Sequence, residues 1–188
     1  MIKAKLLILF LGLLMVGCGE QVIDKSELEG RNGLAYLTNE KTPFTGRAES
    51  LFSKGQKREE INLKDGLADG RYTLWYRNGQ KREEGNYKHG KKEGTWTAWH
   101  ENGQKWWEET YKGDKKDGLA TGWYENGQTR QERSFKEDKL MVAEVWKLNG
   151  EKCAVTNVED GNGIWVLYND DGMERFRYTY KDGERVRN

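Results

Sequence analysis

Apolar residues in this chain recur in fixed slots among polar neighbours. Hairpin glycines fall at Gly55, Gly79, Gly103, Gly127, Gly150 and Gly172, spaced by 24, 24, 24, 23 and 22 residues. Nine residues before each stands an opening glycine (Gly46, Gly70, Gly94, Gly118, Gly163), except in the fifth unit, which has Met141 there. Five residues into each unit sit Leu51, Trp75, Trp99, Trp123, Trp146 and Tyr168. Near the unit ends sit Leu63, Tyr87, Tyr111, Phe135, Val158 and Tyr180. A fixed period in this range marks a repeat architecture. Between the slots lie short runs split by Asn-Gly and closed by turns such as Lys64-Asp65-Gly66 and Lys88-His89-Gly90. Such runs read as strands, and this density of glycine would break a helix. The pattern predicts an all-β fold, an antiparallel meander of tandem β-hairpin repeats, in about six units of 22–24 residues over 46–188. The stretch Trp99-His100-Glu101-Asn102-Gly103-Gln104-Lys105 typifies the hairpin, and its Asn-Gly pair predicts a type I′ turn. One hairpin alone is marginal, so the series Leu51, Trp75, Trp99, Trp123, Trp146 and Tyr168 is expected to stack as the core ladder.

The N-terminus follows a different pattern. A basic Met1–Lys5 precedes an apolar run, Leu6 to Val16, too short to span a bilayer but suited to a helical signal peptide. Leu14-Met15-Val16-Gly17-Cys18 resembles the lipobox of bacterial lipoproteins, although Met15 stands where leucine is usual. The resemblance implies that residues 1–17 are cut away and that Cys18 becomes acylated, with palmitate-type chains anchoring the protein to a membrane. An ordinary cleaved signal is the alternative. Gly19 after the cysteine implies sorting to the outer membrane if the cell is Gram-negative, and otherwise to the outer face of the cell membrane. Residues 18–31 are expected to be a tether and 32–45 an N-terminal cap, with a first strand at Gly33–Leu37 and Pro43 at an edge or turn. Cys153 then has no intramolecular partner and is expected as a small residue on a strand.

Charged residues (34%) nearly equal hydrophobic ones (35%), which is thin for a packed core, but 8 Trp, 9 Tyr and 5 Phe with one proline argue against disorder. The net charge is +1, and without Lys3 and Lys5 the balance is 30 basic against 31 acidic residues. With no basic excess to neutralise phosphates, nucleic acid is not expected as a partner. Two histidines, His89 in a turn and His100 in the slot of Tyr76 and Tyr124, lie near no nucleophile and in no metal-ligand spacing. No catalytic set, metal or cofactor is expected. Asp160-Gly161-Asn162-Gly163 and Asn169-Asp170-Asp171-Gly172 match no calcium loop and read as turn formers. The carboxylate pairs Glu59-Glu60, Glu83-Glu84 and Glu108-Glu109 have the composition a glycosidase needs, but their repetition points to structure.

The aromatics are the candidates for contact. In a regular strand Trp96 and Trp99 point to opposite faces, as do Trp106 and Trp107, so either a bulge realigns them or some indole is exposed. Trp106 and Trp107 break the Lys/Arg-Glu pattern of the other units, and tryptophan is favoured at binding hot spots. The candidate binding set is Trp96, Trp106, Trp107, His100, Tyr76 and Tyr124.

The repeated Gly-x-Trp-x-x-Trp-Tyr-Glu-Asn-Gly-Gln-Lys, followed by Tyr-Lys-Asp-Gly-Lys, resembles the MORN-repeat variant family, which includes YwqK-type antitoxins. The resemblance covers residues 33–188; the unit opening Gly94-Thr95-Trp96-Thr97-Ala98-Trp99 is nearest, and the first and fifth units depart most. It implies binding rather than catalysis. The expected function is a membrane-anchored lipoprotein acting as a protein-binding module, whose partner is a toxin or an envelope component. A lipid anchor sits awkwardly with a cytoplasmic toxin, so immunity or scaffolding in the envelope is the more consistent form. The alternative is glycan binding at the cell envelope through exposed aromatics, because the tandem Gly-Trp-Tyr hairpins are also similar to sugar- and choline-binding wall repeats.

Overall fold

The computed structural model describes residues 21–186. The expected signal peptide and Cys18 lie outside the described residues. Strands β1 (Val22–Asp24), β2 (Leu28–Arg31) and β3 (Leu34–Leu37) precede the array. The array itself runs through β4 (Gly46–Leu51), β5 (Lys57–Lys64), β6 (Leu67–Trp75), β7 (Lys81–Lys88), β8 (Lys91–Trp99), β9 (Lys105–Lys112), β10 (Lys115–Trp123), β11 (Thr129–Lys136) and β12 (Lys139–Val145). Strands β4 to β12 pair antiparallel in sequence order, and β1 adds in parallel beside β4 to complete a 10-stranded sheet. Strands β13 (Gly163–Tyr168), β14 (Glu174–Lys181) and β15 (Glu184–Arg185) form a separate three-stranded sheet. This is the all-β hairpin meander expected from the period.

The type I′ turn expected at Asn-Gly is found instead at the other turn of each unit. In Asp65-Gly66, His89-Gly90, Gly113-Asp114 and Glu137-Asp138 both residues have positive φ, as a type I′ turn requires. At the Asn-Gly pairs only the glycine does (Gly79 at 85°, Gly103 at 85°). There the chain makes a wider loop, with Gly79 N–H donating to the Tyr76 carbonyl and Tyr76 N–H to that of Gln80. The asparagine is needed for its side chain. Asn78 Oδ1 accepts from Gln80 N–H, while its Nδ2 donates to the Glu101 carbonyl of the next hairpin at 2.9 Å. Asn102 makes the same bridge to Glu125 at 2.8 Å.

Five of the six wide loops, all but that of the fifth unit, are followed by a β-bulge. Leu74 pairs with Glu83 and Trp75 with Lys81, leaving Arg82 as the extra residue. The same shift makes Arg58, Trp106, Arg130 and Arg175 the extra residues of the first, third, fourth and sixth units. A bulge re-aims the side chain it carries.

The core lies on one face of the sheet. Its central row runs Ala48, Ile61, Tyr72, Gly85, Trp96, Glu109, Ala120, Arg133 and Ala143 across the strands. Trp96 is fully buried, with its indole N–H donating to the Asn86 carbonyl at 3.1 Å. It lies over Gly85, where an added Cβ would stand 2.2 Å from the indole ring. Tyr72 and Tyr87 close around it with ring centres 5.6 and 4.9 Å away. The N-terminal strands cover one end of this face through Phe44, Leu28, Ala35 and Leu37 against Ala48, Ile61 and Leu63. The other end is covered by Trp165 and Tyr180 of the last hairpin and by Val158 of the run before it, against Phe135, Leu140 and Ala143.

The expected core ladder is therefore corrected. Leu51 is 52% exposed, Trp75, Trp99, Trp123 and Trp146 are half-buried, and only Tyr168 is buried. Tyr168 belongs to the separate sheet and packs with Val145, Cys153 and Val166. Trp75, Trp99 and Trp123 stand on the face of the long sheet opposite the core, each under a lysine of the preceding hairpin. Lys57 lies 5.8 Å from Trp75, Lys81 5.8 Å from Trp99 and Lys105 5.3 Å from Trp123. Each lysine also pairs at 2.6 Å with a glutamate three residues on: Glu60, Glu84 or Glu108. Leu51 has no preceding hairpin to supply a lysine.

Two further expectations shift. The expected tether is strand-bearing from Val22, since β1 and β2 fall within it. The fifth unit does not complete its hairpin. Its return run only touches β12, at Lys152 opposite Trp146 and Val158 opposite Ala143. Between these points Thr156 turns to β13, its hydroxyl accepting from Val166 N–H and donating to the Val166 carbonyl. The long sheet thus holds four full hairpins and half of a fifth, and the sixth packs separately. Cys153 is buried but off any strand, its thiol donating to the Tyr168 hydroxyl at 3.1 Å.

A candidate binding groove

The bulge position sets the site. In the second unit Arg82 lies 5.9 Å from the Tyr76 ring, and in the fourth Arg130 lies 5.4 Å from that of Tyr124. The third unit replaces both members: Trp106 lies 6.1 Å from the His100 ring. A guanidinium on a phenol thus becomes an indole on an imidazole, and the Trp106 side of the pair is 49% exposed.

Trp106, Trp123 and Arg130 are shared by two adjoining hollows, of about 550 and about 230 Å³. The larger extends over His100, Tyr124 and Glu125 to Asp170, Asp171 and Arg175 of the last hairpin. The smaller runs over Trp107, Gly122, Gln131, Arg133 and Glu109. Together they form a groove between the third and fourth hairpins and the sixth. Trp106 and Trp107 both line the smaller hollow, with ring centres 6.5 Å apart. The bulge has realigned them.

The candidate set therefore divides. His100, Trp106, Trp107 and Tyr124 converge on the groove. Trp96 belongs to the core, because the row it occupies faces the packed side. Tyr76 ties hairpins together, its hydroxyl donating to the Trp99 carbonyl at 2.8 Å; Tyr124 does the same to Trp146 at 2.9 Å. His100 Nε2 reaches the Trp123 carbonyl only at 3.4 Å. Sequence reasoning missed Arg130, Gln131, Gly122 and Arg175. The recurrence of Arg58, Arg82, Arg130 and Arg175 around the odd Trp106 was the available signal.

Beneath the groove lies a buried ionic knot. Glu109 receives hydrogen bonds from the Tyr111 hydroxyl at 2.7 Å and the Lys116 ammonium at 2.6 Å, and Arg133 stands 3.4 Å away. Burial pushes the Glu109 carboxyl up, but the bonds from Lys116 and Tyr111 and the charge of Arg133 leave it below the usual carboxylate range. Burial raises the Tyr111 phenol, and its bond to Glu109 raises it further. The knot holds Arg133 against Phe135 and Trp165 and so fixes the groove wall. The adjacent carboxylates Glu59-Glu60, Glu83-Glu84 and Glu108-Glu109 alternate between the two faces, so neither member of a pair assists the other. Asp171 caps its turn by accepting from Met173 N–H at 2.9 Å.

The MORN repeat variant family model matches residues 68–89, 92–112 and 116–137, the three hairpins β6–β7, β8–β9 and β10–β11. The family points to a repeat-based protein-binding or scaffold module. No curated protein matches the chain.

Proposed function

We propose that this chain, whose central repeats belong to the MORN repeat variant family, is a lipid-anchored, non-enzymatic binding protein of the cell envelope whose sheet receives a protein partner. The anchor reading rests on the signal-like Met1–Val16 and on Leu14-Met15-Val16-Gly17-Cys18. Chains on Cys18 would add about 0.8 kcal/mol of membrane affinity per buried CH₂. Fatty-acid labelling of wild type and of Cys18→Ala tests it; label on both would refute acylation at Cys18.

One observation carries the protein-binding reading. On the face opposite the core, the row that begins with Arg47, Arg71 and Thr95 continues with Leu119, 58% exposed, and Val142, 41% exposed. Both pair directly with Ser134, so they stand two strands apart on one face. Large apolar groups gathered on a polar surface mark interaction sites, and the neighbouring Lys136–Asp117 and Lys152–Glu144 pairs supply the polar rim such interfaces have. An immunity role against a toxin, or a scaffold role for an envelope component, uses the same surface. A photo-cross-linker at Leu119 should capture one discrete envelope protein, and Leu119→Asp with Val142→Asp should abolish its co-purification. Co-purification that survives the double substitution would refute this surface.

A further inference from the structure

We infer that the groove on the core face is a second binding site, for a neutral oligosaccharide, with the sugar lying on the Trp106 indole against the edge-on Trp107. The site is separate from Leu119 and Val142, which stand on the opposite face.

The platform comes first. A pyranose presents a face of C–H groups, and an indole presents a broad, electron-rich face that such groups cover well. Trp106 offers that face half-exposed, and the Trp107 ring, tilted by 63° to it, stands edge-on beside it as a side wall. The floor comes next. Gly122 pairs with Trp107 on one side and with Gln131 on the other. The same row carries Leu74, Ala98 and Val145 in other strands. At Gly122 the missing side chain lets Gln131 lie across the strand, its Nε2 3.1 Å from where a Cβ would stand, so the Gln131 amide forms the floor of the smaller hollow. The combined hollow is within the range of about 300–1,000 Å³ usual for small-ligand sites.

The wall supplies the polar recognition. Arg130 Nε and Arg133 Nε are donors and Gln131 Oε1 is an acceptor, and all three are buried without a protein partner. Buried polar groups are normally paired; of the seven unpaired side-chain atoms among the described residues, three fall on one strand at this groove, where a ligand that brings both donors and acceptors would satisfy them. Hydroxyl groups do both.

Charge selects the class. Glu125, Asp170 and Asp171 face Arg130 and Arg175 around the larger hollow. A polyanion would meet the three carboxylates and a polycation the two guanidiniums, whereas an uncharged polyol uses both as hydrogen-bonding groups. The planar Arg, Gln, Asn169 and Asp side chains suit vicinal hydroxyls.

The test is calorimetric titration of the full chain in detergent with short neutral oligomers of glucose, N-acetylglucosamine and galactose. At least one series should bind saturably. Trp106→Ala should weaken that binding about tenfold or more, as loss of a central indole does at hot spots. Gly122→Leu, whose side chain would displace Gln131 and fill the smaller hollow, should abolish it. Lys57→Ala, at the far end of the sheet, should bind as wild type does. Thermal unfolding of each variant confirms that it is folded, and the Trp106 substitution stands alone if the glycine variant is not. Failure of every neutral oligomer to saturate would overturn the inference, as would saturable binding indifferent to both groove substitutions. Loss of the cross-linked protein partner in Trp106→Ala, with no sugar bound by wild type, would assign the groove to that protein instead.

Discussion

The two faces of the long sheet are built by opposite rules. On the ladder face one row reads Glu49, Glu60, Thr73, Glu84, Thr97, Glu108, Thr121 and Glu132, flanked by the lysine-covered Trp75, Trp99 and Trp123. It scarcely changes from unit to unit. On the core face the corresponding row reads Ala48, Ile61, Tyr72, Gly85, Trp96, Glu109, Ala120 and Arg133, and no residue type holds its place. The difference follows from what each row touches. Ladder residues meet copies of themselves at a fixed offset, so one solution serves every unit. Core residues must fill a common volume beside two different caps, so large and small side chains compensate one another, as Gly85 does for Trp96. Repetition in this chain marks the joints between units, and variation marks the packing.

Substitutions can break this contrast, and the largest effect is expected at Glu109. Glu109→Ala leaves Lys116 and Arg133 together without their carboxylate and should cost about 3 kcal/mol in denaturant unfolding. The same group sets a pH dependence. Its folded-state value lies below the ordinary 4.5, so the native state holds fewer protons than the unfolded chain. Its contribution is therefore complete above pH 4.5 and is lost as pH falls below that value toward the lower folded one. Melting temperature followed down through that window should drop more steeply in wild type than in Glu109→Gln.

Gly85→Ala is next. Its new methyl would meet the Trp96 ring, and overpacking of this kind costs about 1–3 kcal/mol. Substitution of Gly79, whose added Cβ would meet nothing within 4 Å, acts only through its backbone angle and separates the two causes. On the ladder face Lys81→Ala removes one exposed ion pair and one distant ring contact, and should cost about 0.5 kcal/mol. Trp106→Ala, at a half-exposed bulge residue, should stay within about 0.5 kcal/mol of wild type, which would mark the indole as a contact residue rather than part of the scaffold.

Much of this fold is legible in the sequence. The 24-residue period, the two turns per unit and the alternating charges specify consecutive hairpins without any tertiary knowledge. The choice of core face is not. Trp75, Trp99 and Trp123 repeat and Trp96 does not, so periodicity favours the wrong row; a half-buried ring under a lysine and a buried ring over a glycine look alike in one dimension. The bulges hide in the same way, because nothing local to Trp106-Trp107 says that one of them is an extra residue. Strand β1 is three residues long and is held by its parallel pairing to β4, a contact that composition does not announce. The groove was half visible. Its aromatics stand out as departures from the repeat, while Gly122, Gln131 and Arg130 look like ordinary members of it. The last hairpin that completes the larger hollow is brought there by the irregular run around Thr156.

The contrast between the faces is tested most directly by unfolding Trp96→Ala and Trp99→Ala side by side in denaturant. The two residues are three apart on one strand and carry the same side chain. Trp96→Ala should lose about 3–5 kcal/mol, the cost of emptying a packed indole site, and Trp99→Ala about 1–2 kcal/mol. An equal or larger loss at Trp99 would place the core on the repeating row and contradict the account.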